Sequence, residues 1–231
     1  IIGARDGDPG GNRSAGESYV VFGRSGGFAS AIALGTLDGT TGFRLDGVNA
    51  DDGSGTPVSK AGDVNGDGFD DLIVGAFAAD PGGRTIAGES YVVFGKSGGF
   101  TSAIALSSLD GMIGFRLDGV DASDSSGESV STAGDVNGDG FDDLIIGAPS
   151  ADSSAGASYV VFGKASGFNS AIDLATLDGT SGFRIDGIDG DDRSGKSVST
   201  AGDVNGDGID DLIVSAQQGG GGRAGESFVV F

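Results

Sequence analysis

The sequence contains no cysteine, no histidine and no tryptophan. Positive charge is scarce: 13 Lys and Arg stand against 34 Asp and Glu, a net charge of −21 over 231 residues. Without Cys there is no disulfide and no thiolate metal site. Without His the commonest general base and the commonest transition-metal ligand are missing. The acidic excess repels nucleic acid and anionic membranes and attracts cations. No apolar run approaches the roughly 18 residues of a membrane-spanning helix. Proline is rare at 4 residues, whereas glycine reaches 48 and recurs at regular places, which favours turns over disorder. A secreted chain that lacks disulfides needs another cross-link, and bound metal supplies one.

Self-similarity dominates what is present. Gly62-Asp63-Val64-Asn65-Gly66-Asp67-Gly68 recurs from Gly134 and from Gly202, at spacings of 72 and 68 residues. Ser18-Tyr19-Val20-Val21-Phe22 recurs from Ser90 and Ser158, and with Phe for Tyr from Ser227. Gly42-Phe43-Arg44-Leu45-Asp46 recurs from Gly114 and Gly182. A period of about 70 residues is long for a solenoid and suits a four-stranded propeller blade with generous loops. The expected fold is therefore all-β, a β-propeller of antiparallel blades, either an open arc or part of a larger array. The spacing divides the chain into a partial blade at 1–54, blades at 55–126 and 127–194, and a partial blade at 195–231. Ile1-Ile2-Gly3-Ala4 matches the middle of a repeat, so the sequence is expected to be a piece of a longer polypeptide.

Each repeat reads as four strands. Ser129–Ala133 is small and β-branched, Asp143–Ala148 is a continuous apolar run, Ser158–Phe162 follows, and Phe183–Asp186 alternates apolar with polar. A strand covered on both faces reads as continuously apolar, and one with a wet face alternates. The second and third strands are thus expected at the centre of a blade and the fourth at its solvent-facing outer edge. Arg44, Arg116 and Arg184 would guard that edge. Ser170–Gly179, between third and fourth strands, reads either as one helical turn or as an extended, tucked loop.

The acids are placed in a pattern. In Asp135-Val136-Asn137-Gly138-Asp139-Gly140-Phe141-Asp142-Asp143, positions 1, 3, 5 and 9 carry side-chain oxygens and position 7 can offer its carbonyl. Ca²⁺ takes about 6–8 hard oxygen ligands, and a glycine at position 6 permits the tight curl. Three such sites are expected: Asp63, Asn65, Asp67, Phe69 and Asp71; Asp135, Asn137, Asp139, Phe141 and Asp143; Asp203, Asn205, Asp207, Ile209 and Asp211. The competing reading is an Asx-rich turn without metal, and three copies with identical ligand types favour the ion. Asp70, Asp142 and Asp210, at position 8, are expected to point into solvent. An EF-hand needs a bidentate Glu at position 12, where this chain has Val74, Ile146 and Val214 on β-rich runs, and a dockerin fails for the same reason.

These residues resemble the FG-GAP repeat of integrin α-subunits and of many bacterial surface proteins. The resemblance is carried by Val161-Phe162-Gly163, by Gly195–Asp203, and by Ile145-Ile146-Gly147-Ala148-Pro149. Only that copy keeps Gly-Ala-Pro; the others read Gly75-Ala76-Phe77 and Ser215-Ala216-Gln217. The resemblance implies Ca²⁺ between the first and second strands of a blade, and adhesion or matrix roles. No residue here marks an integrin-type ligand-binding surface.

The function expected from these readings is a non-enzymatic, extracellular or cell-surface calcium-binding module with a structural or adhesive role in a surface, matrix or filament. Calcium would rigidify each blade. An arc with bare apolar blade faces is expected to self-associate or to meet further blades of the same polypeptide, and a glycan or matrix ligand is a further expected partner. The alternative is a glycan-binding module, or the non-catalytic part of a secreted polysaccharide-active enzyme. Asp118, Asp121 and Asp124, or Asp186, Asp189 and Asp191, are imaginable as an acid–base pair, but they sit in turn composition after a strand. Tyr19, Tyr91 and Tyr159 read as core residues rather than a sugar platform. Asn12-Arg13-Ser14 is an isolated glycosylation sequon, expected to be idle.

Overall fold

A computed structural model describes residues 1–165, 167–220 and 223–231. The chain forms four β-sheets in sequence order. The first contains β1 (Ile2–Ala4), β2 (Glu17–Val21) and β3 (Gly42–Asp46). The second runs through β4 (Val58–Gly62), β5 (Asp71–Ala76) and β6 (Glu89–Val93). Then come β7 (Ala103–Ala105), which leaves this sheet to join the first, and β8 (Gly114–Asp118), which completes it. The third comprises β9 (Ser129–Gly134), β10 (Asp143–Ala148) and β11 (Ala157–Val161). After β12 (Ala171–Asp173), which pairs with β8, comes its last strand β13 (Gly182–Asp186). β14 (Ser194–Gly202), β15 (Asp211–Ala216) and β16 (Glu226–Val230) make the fourth. β4, β5, β6 and β8 pair antiparallel in order, and so do β9, β10, β11 and β13, as a meander requires. The first strands β4, β9 and β14 contact one another in succession, so the blades are arranged side by side around them.

The apolar runs sit where continuous hydrophobicity demands. Ile73 and Val74 of β5 and Leu144, Ile145 and Ile146 of β10 are fully buried, and so are Val92 and Val160 on the third strands. Successive blades share their cores: residues of β4, β5, β6 and β8 pack in one cluster with Leu144, Ile146, Tyr159 and Val161 of the next sheet. Among the described residues no helix is long and apolar enough to cross a membrane.

The fourth strand is not the outer edge in two of the blades. β7 adds to β3 and β12 adds to β8, both in parallel, so a segment of each repeat extends the sheet of the preceding one. The segment at 170–179 is thus both expected forms in succession: a short strand, then a 3₁₀ turn at Leu174–Thr176. Ala103–Ala105 falls within the 55–126 repeat yet completes the first sheet, so sequence repeat and sheet are offset. The arginines do not guard an edge either. Arg44 pairs with Asp46 and Glu17, and Arg116 pairs with Asp118 and Glu89. Their guanidinium groups neutralise an Asp on their own strand and a Glu on the neighbouring one. Only Arg184 lies on a strand that is at an edge, and it pairs with Asp152 and Asp186.

Phenylalanines pin these parallel additions. Phe168, seven residues after β11 ends at Val161, stacks on Phe115 of β8, with centroids 4.5 Å apart and planes 6° from parallel. Phe100 stacks in the same way on Phe43, at 4.3 Å and 14°. Offset stacking of this kind adds roughly 0.5–1.5 kcal/mol beyond area burial.

Candidate metal centre

Each acidic loop joins a first strand to a second strand, and three copies adopt nearly one geometry. Gly138 and Gly140 have φ of +73° and +89°, a left-handed curl that side chains with a Cβ resist. That curl turns the side chains at positions 1, 3 and 5 onto the loop's own amides. In the first loop the Asp67 N–H donates to Asp63 Oδ1 at 3.0 Å and to Asn65 Oδ1 at 2.9 Å. The Gly68 N–H donates to Asp63 Oδ2 at 2.9 Å, and the Phe69 N–H to Asp67 Oδ1 at 3.0 Å. The second loop repeats this with Asp135, Asn137 and Asp139, and the third with Asp203, Asn205 and Asp207. Oxygens from positions 1 and 3 therefore meet at a single nitrogen in every copy.

Position 9 lies apart from that convergence, at the buried base of the loop. Asp71 Oδ2 accepts from the Val64 N–H at 3.0 Å and its Oδ1 from the Gly95 N–H at 2.7 Å. Asp143 does the same with Val136 at 3.0 Å and Gly163 at 2.8 Å, and Asp211 accepts from Val204 at 2.7 Å. The glycine of each Phe-Gly pair, Phe94-Gly95 and Phe162-Gly163, is thereby tied to the acidic loop. Burial pushes the Asp71 and Asp143 carboxyls up to about 7, against the two amide hydrogen bonds each receives. The like charges of Asp67 and Asp63, and of Asp139 and Asp135, add to that rise.

Among the described residues no three acidic side chains are gathered closely enough to form a metal shell by themselves. The donor chemistry nevertheless fits a hard divalent ion. Every side-chain ligand atom is oxygen, each carboxylate keeps at least one lone pair beyond the N–H bonds it accepts, and among the described residues the buried acids have no Lys or Arg partner. Asp63, Asn65 and Asp67 with the Phe69 carbonyl and Asp71 would hold Ca²⁺ in the first loop. The corresponding sets are Asp135, Asn137, Asp139, Phe141 and Asp143, and Asp203, Asn205, Asp207, Ile209 and Asp211. The ion would supply positive charge where the fold has collected only negative.

Position 8 departs from expectation. Asp142 and Asp210 are not turned to solvent: Asp142 Oδ2 accepts the Asp63 N–H at 2.8 Å, and Asp210 Oδ2 accepts the Asp135 N–H at 3.1 Å. Each acid reaches across to the loop of the preceding blade. Of the three, only Asp70 is exposed. The signal for this lay in the glycine before each loop, Gly62 or Gly134, where a Cβ would run into the neighbour's carboxylate. The six acids considered for catalysis have turn and strand duties. The Asp121 N–H donates to Asp124 Oδ2 at 3.2 Å, Asp118 pairs with Arg116, and Asp186 pairs with Arg184.

Comparison with known proteins agrees with this architecture. The FG-GAP repeat model matches residues 59–93, 126–161 and 194–230. Each match begins in or just before a first strand, crosses an acidic loop and ends in a third strand. The chain is 31% identical over 157 residues to integrin alpha-4 of Xenopus laevis, covering 68% of this chain and 14% of that protein. It is 33% identical over 156 residues to integrin alpha-PS5 of Drosophila melanogaster, with the same two shares. It is 34% identical over 169 residues to the phosphatidylinositol-glycan-specific phospholipase D of Bos taurus, covering 71% of this chain and 19% of that enzyme. The chain thus spans between a seventh and a fifth of these relatives. With three matched repeats, each laid on a blade and its acidic loop, the chain belongs to the FG-GAP repeat proteins and is similar to the integrin α-subunits.

Proposed function

We propose that this chain is a calcium-stiffened array of blades with a structural or adhesive role outside the cell, in a surface, a matrix or a filament. The observation that carries the reading is the threefold loop in which oxygens of positions 1 and 3 converge on one amide over a buried Asp. Calcium entering such a loop joins the first strand to the second and, through the position-9 Asp, to the turn after the third. A net charge of −21 makes the cation the natural counterweight. The integrin relatives support the extracellular, adhesive setting. The array itself performs no chemistry in this reading; the chain supplies shape and stiffness. Its partners are further blades, in the same polypeptide or in another copy, or a glycan or matrix ligand. Ile213, Val229 and Phe231 leave an apolar face exposed on the last sheet, which supports association.

The test is thermal unfolding with chelator, with Ca²⁺ and with Mg²⁺. If calcium binds only the folded state, a concentration 100 times Kd adds about 2.7 kcal/mol per loop. Mg²⁺ demands a tighter octahedron and sheds water reluctantly, so it restores little of the loss. An unchanged melting temperature in chelator refutes the calcium reading. The phospholipase D relatives favour a second reading, in which the blades are the non-catalytic part of a larger enzyme. Pull-down of the full-length protein with a catalytic domain distinguishes it.

A further inference from the structure

The acidic loops do not stand alone. Asp142, between Phe141 and Asp143 of the second loop, accepts the Asp63 N–H at 2.8 Å, and its own N–H donates to the Asp63 carbonyl at 3.3 Å. Asp210 forms the same reciprocal pair with Asp135, at 3.1 and 3.2 Å. Side chains follow the backbone: Phe141 covers Gly66, and Ile209 covers Gly138, each where a Cβ would collide. The Lys164 N–H adds a bond to the Val64 carbonyl at 3.0 Å. The clamp thus joins residue 1 of one ligand set to the residue lying between positions 7 and 9 of the next.

The third loop shows the same element unclamped. Nothing lies within 4 Å of a Cβ placed on Gly202 or Gly206, and Val204 is 59% exposed where its counterpart Val64 is fully covered. Asp70 is exposed, and among the described residues it clamps no loop.

Resting on the calcium reading above, the geometry points to a relay: calcium in one loop raises the affinity of the loop before it through the position-8 carboxylate. An ion held by the Phe141 carbonyl and Asp143 fixes Asp142 between them. A fixed Asp142 holds the Asp63 backbone ready for the ion, so the first loop loses less freedom on binding. By linkage the coupling is reciprocal, and couplings of this kind typically change affinity by about 5-fold or more. The full chain is therefore expected to take up calcium cooperatively across the loops that Asp142 and Asp210 join.

Calorimetric titration of the full chain with Ca²⁺, paired with amide hydrogen exchange, tests this. Asp142→Ala is expected to weaken calcium binding at the first loop by about 5-fold or more, and Asp210→Ala to do the same at the second. Asp142→Asn keeps an accepting oxygen and is expected to retain the coupling, which separates the hydrogen bond from the charge. Asp70→Ala is expected to titrate as the parent does. Exchange in the unsubstituted chain needs no variant to fold: adding Ca²⁺ is expected to slow the Asp63 and Asp135 amides further, which a clamp indifferent to the ion would not do. Exchange at Asp63 and Asp135 unchanged by Ca²⁺, or an Asp142→Ala titration identical to the parent, overturns the relay while leaving calcium binding intact. A parent that takes up no calcium overturns both.

Discussion

Phe28, Phe100 and Phe168 occupy one motif position in three repeats, and the fold gives them unequal work. Phe168 is 8% exposed, stacked on Phe115 and tilted against Phe94, whose centroid is 5.6 Å away. Phe28 is 54% exposed with only the Arg24 guanidinium over its ring. Truncating a buried Phe to Ala loses its transfer free energy and leaves a cavity, a cost of about 3–5 kcal/mol. Phe168→Ala also loosens the segment that lays β12 on β8, which places the cost at the upper end of that range. For a chain of this size each kcal/mol moves the melting point about 2–4 °C, so Phe168→Ala is expected to lower it by roughly 10–20 °C. Phe28→Ala removes an exposed ring and is expected to cost about 0.5 kcal/mol or less. Urea unfolding followed by circular dichroism, in saturating calcium so that the loops stay constant, measures both. Equal costs for the two variants would refute the idea that stacking across blades holds these segments, as would a cost below about 1 kcal/mol for Phe168→Ala.

Other substitutions probe other joints. Gly134→Ala, at φ +78°, incurs about 1–2 kcal/mol for a left-handed backbone and also drives a methyl into the Asp210 carboxylate. Gly202→Ala, at φ +68° with open space around it, is expected to show the backbone cost alone, and denaturation midpoints of the pair give the difference. Tyr91 donates its hydroxyl to the buried Glu89, so Tyr91→Phe removes a hydrogen bond to a charged group, leaves that carboxylate with Arg116, and is expected to cost about 1–3 kcal/mol. Tyr159 has Ala157 where the sister repeats have Glu, and its hydroxyl has no partner among the described residues. Tyr159→Phe is therefore expected to be neutral or stabilising in the same assay. Thermal scans should show Ca²⁺ restoring what chelation removes and Mg²⁺ failing to, which checks the ion type.

Much of the architecture was legible because repetition multiplies weak signals. Continuous apolar runs such as Asp143–Ala148 marked central strands, since only a strand covered on both faces tolerates them. The loops were legible because the oxygen donors fall at positions whose spacing matches a curled turn. The duty of position 8 was hidden, because an Asp that faces solvent and an Asp that clamps a neighbour look alike in one dimension. Alternation in Gly114–Asp118 likewise suggested an edge, although β12 covers it: a sheet edge and a strand paired by three residues from the next repeat carry the same pattern. The glycine before each loop was the one local clue, and its meaning depends on which residue approaches it.

Ser-Ala-Ile-Ala-Leu occurs twice, at 30–34 and at 102–106. The second copy contributes β7, paired with β3, and buries Leu106; the first forms no strand and leaves Ile32 exposed. Local sequence thus determined the repeat, the strand runs and the order of oxygen donors, because those follow from side-chain period and turn chemistry. That Ala103–Ala105 becomes a strand, and that the first two loops are clamped, was decided by a neighbouring blade offering backbone partners and an apolar face. A lone three-residue strand has too few hydrogen bonds to offset its conformational entropy until that partner is in place.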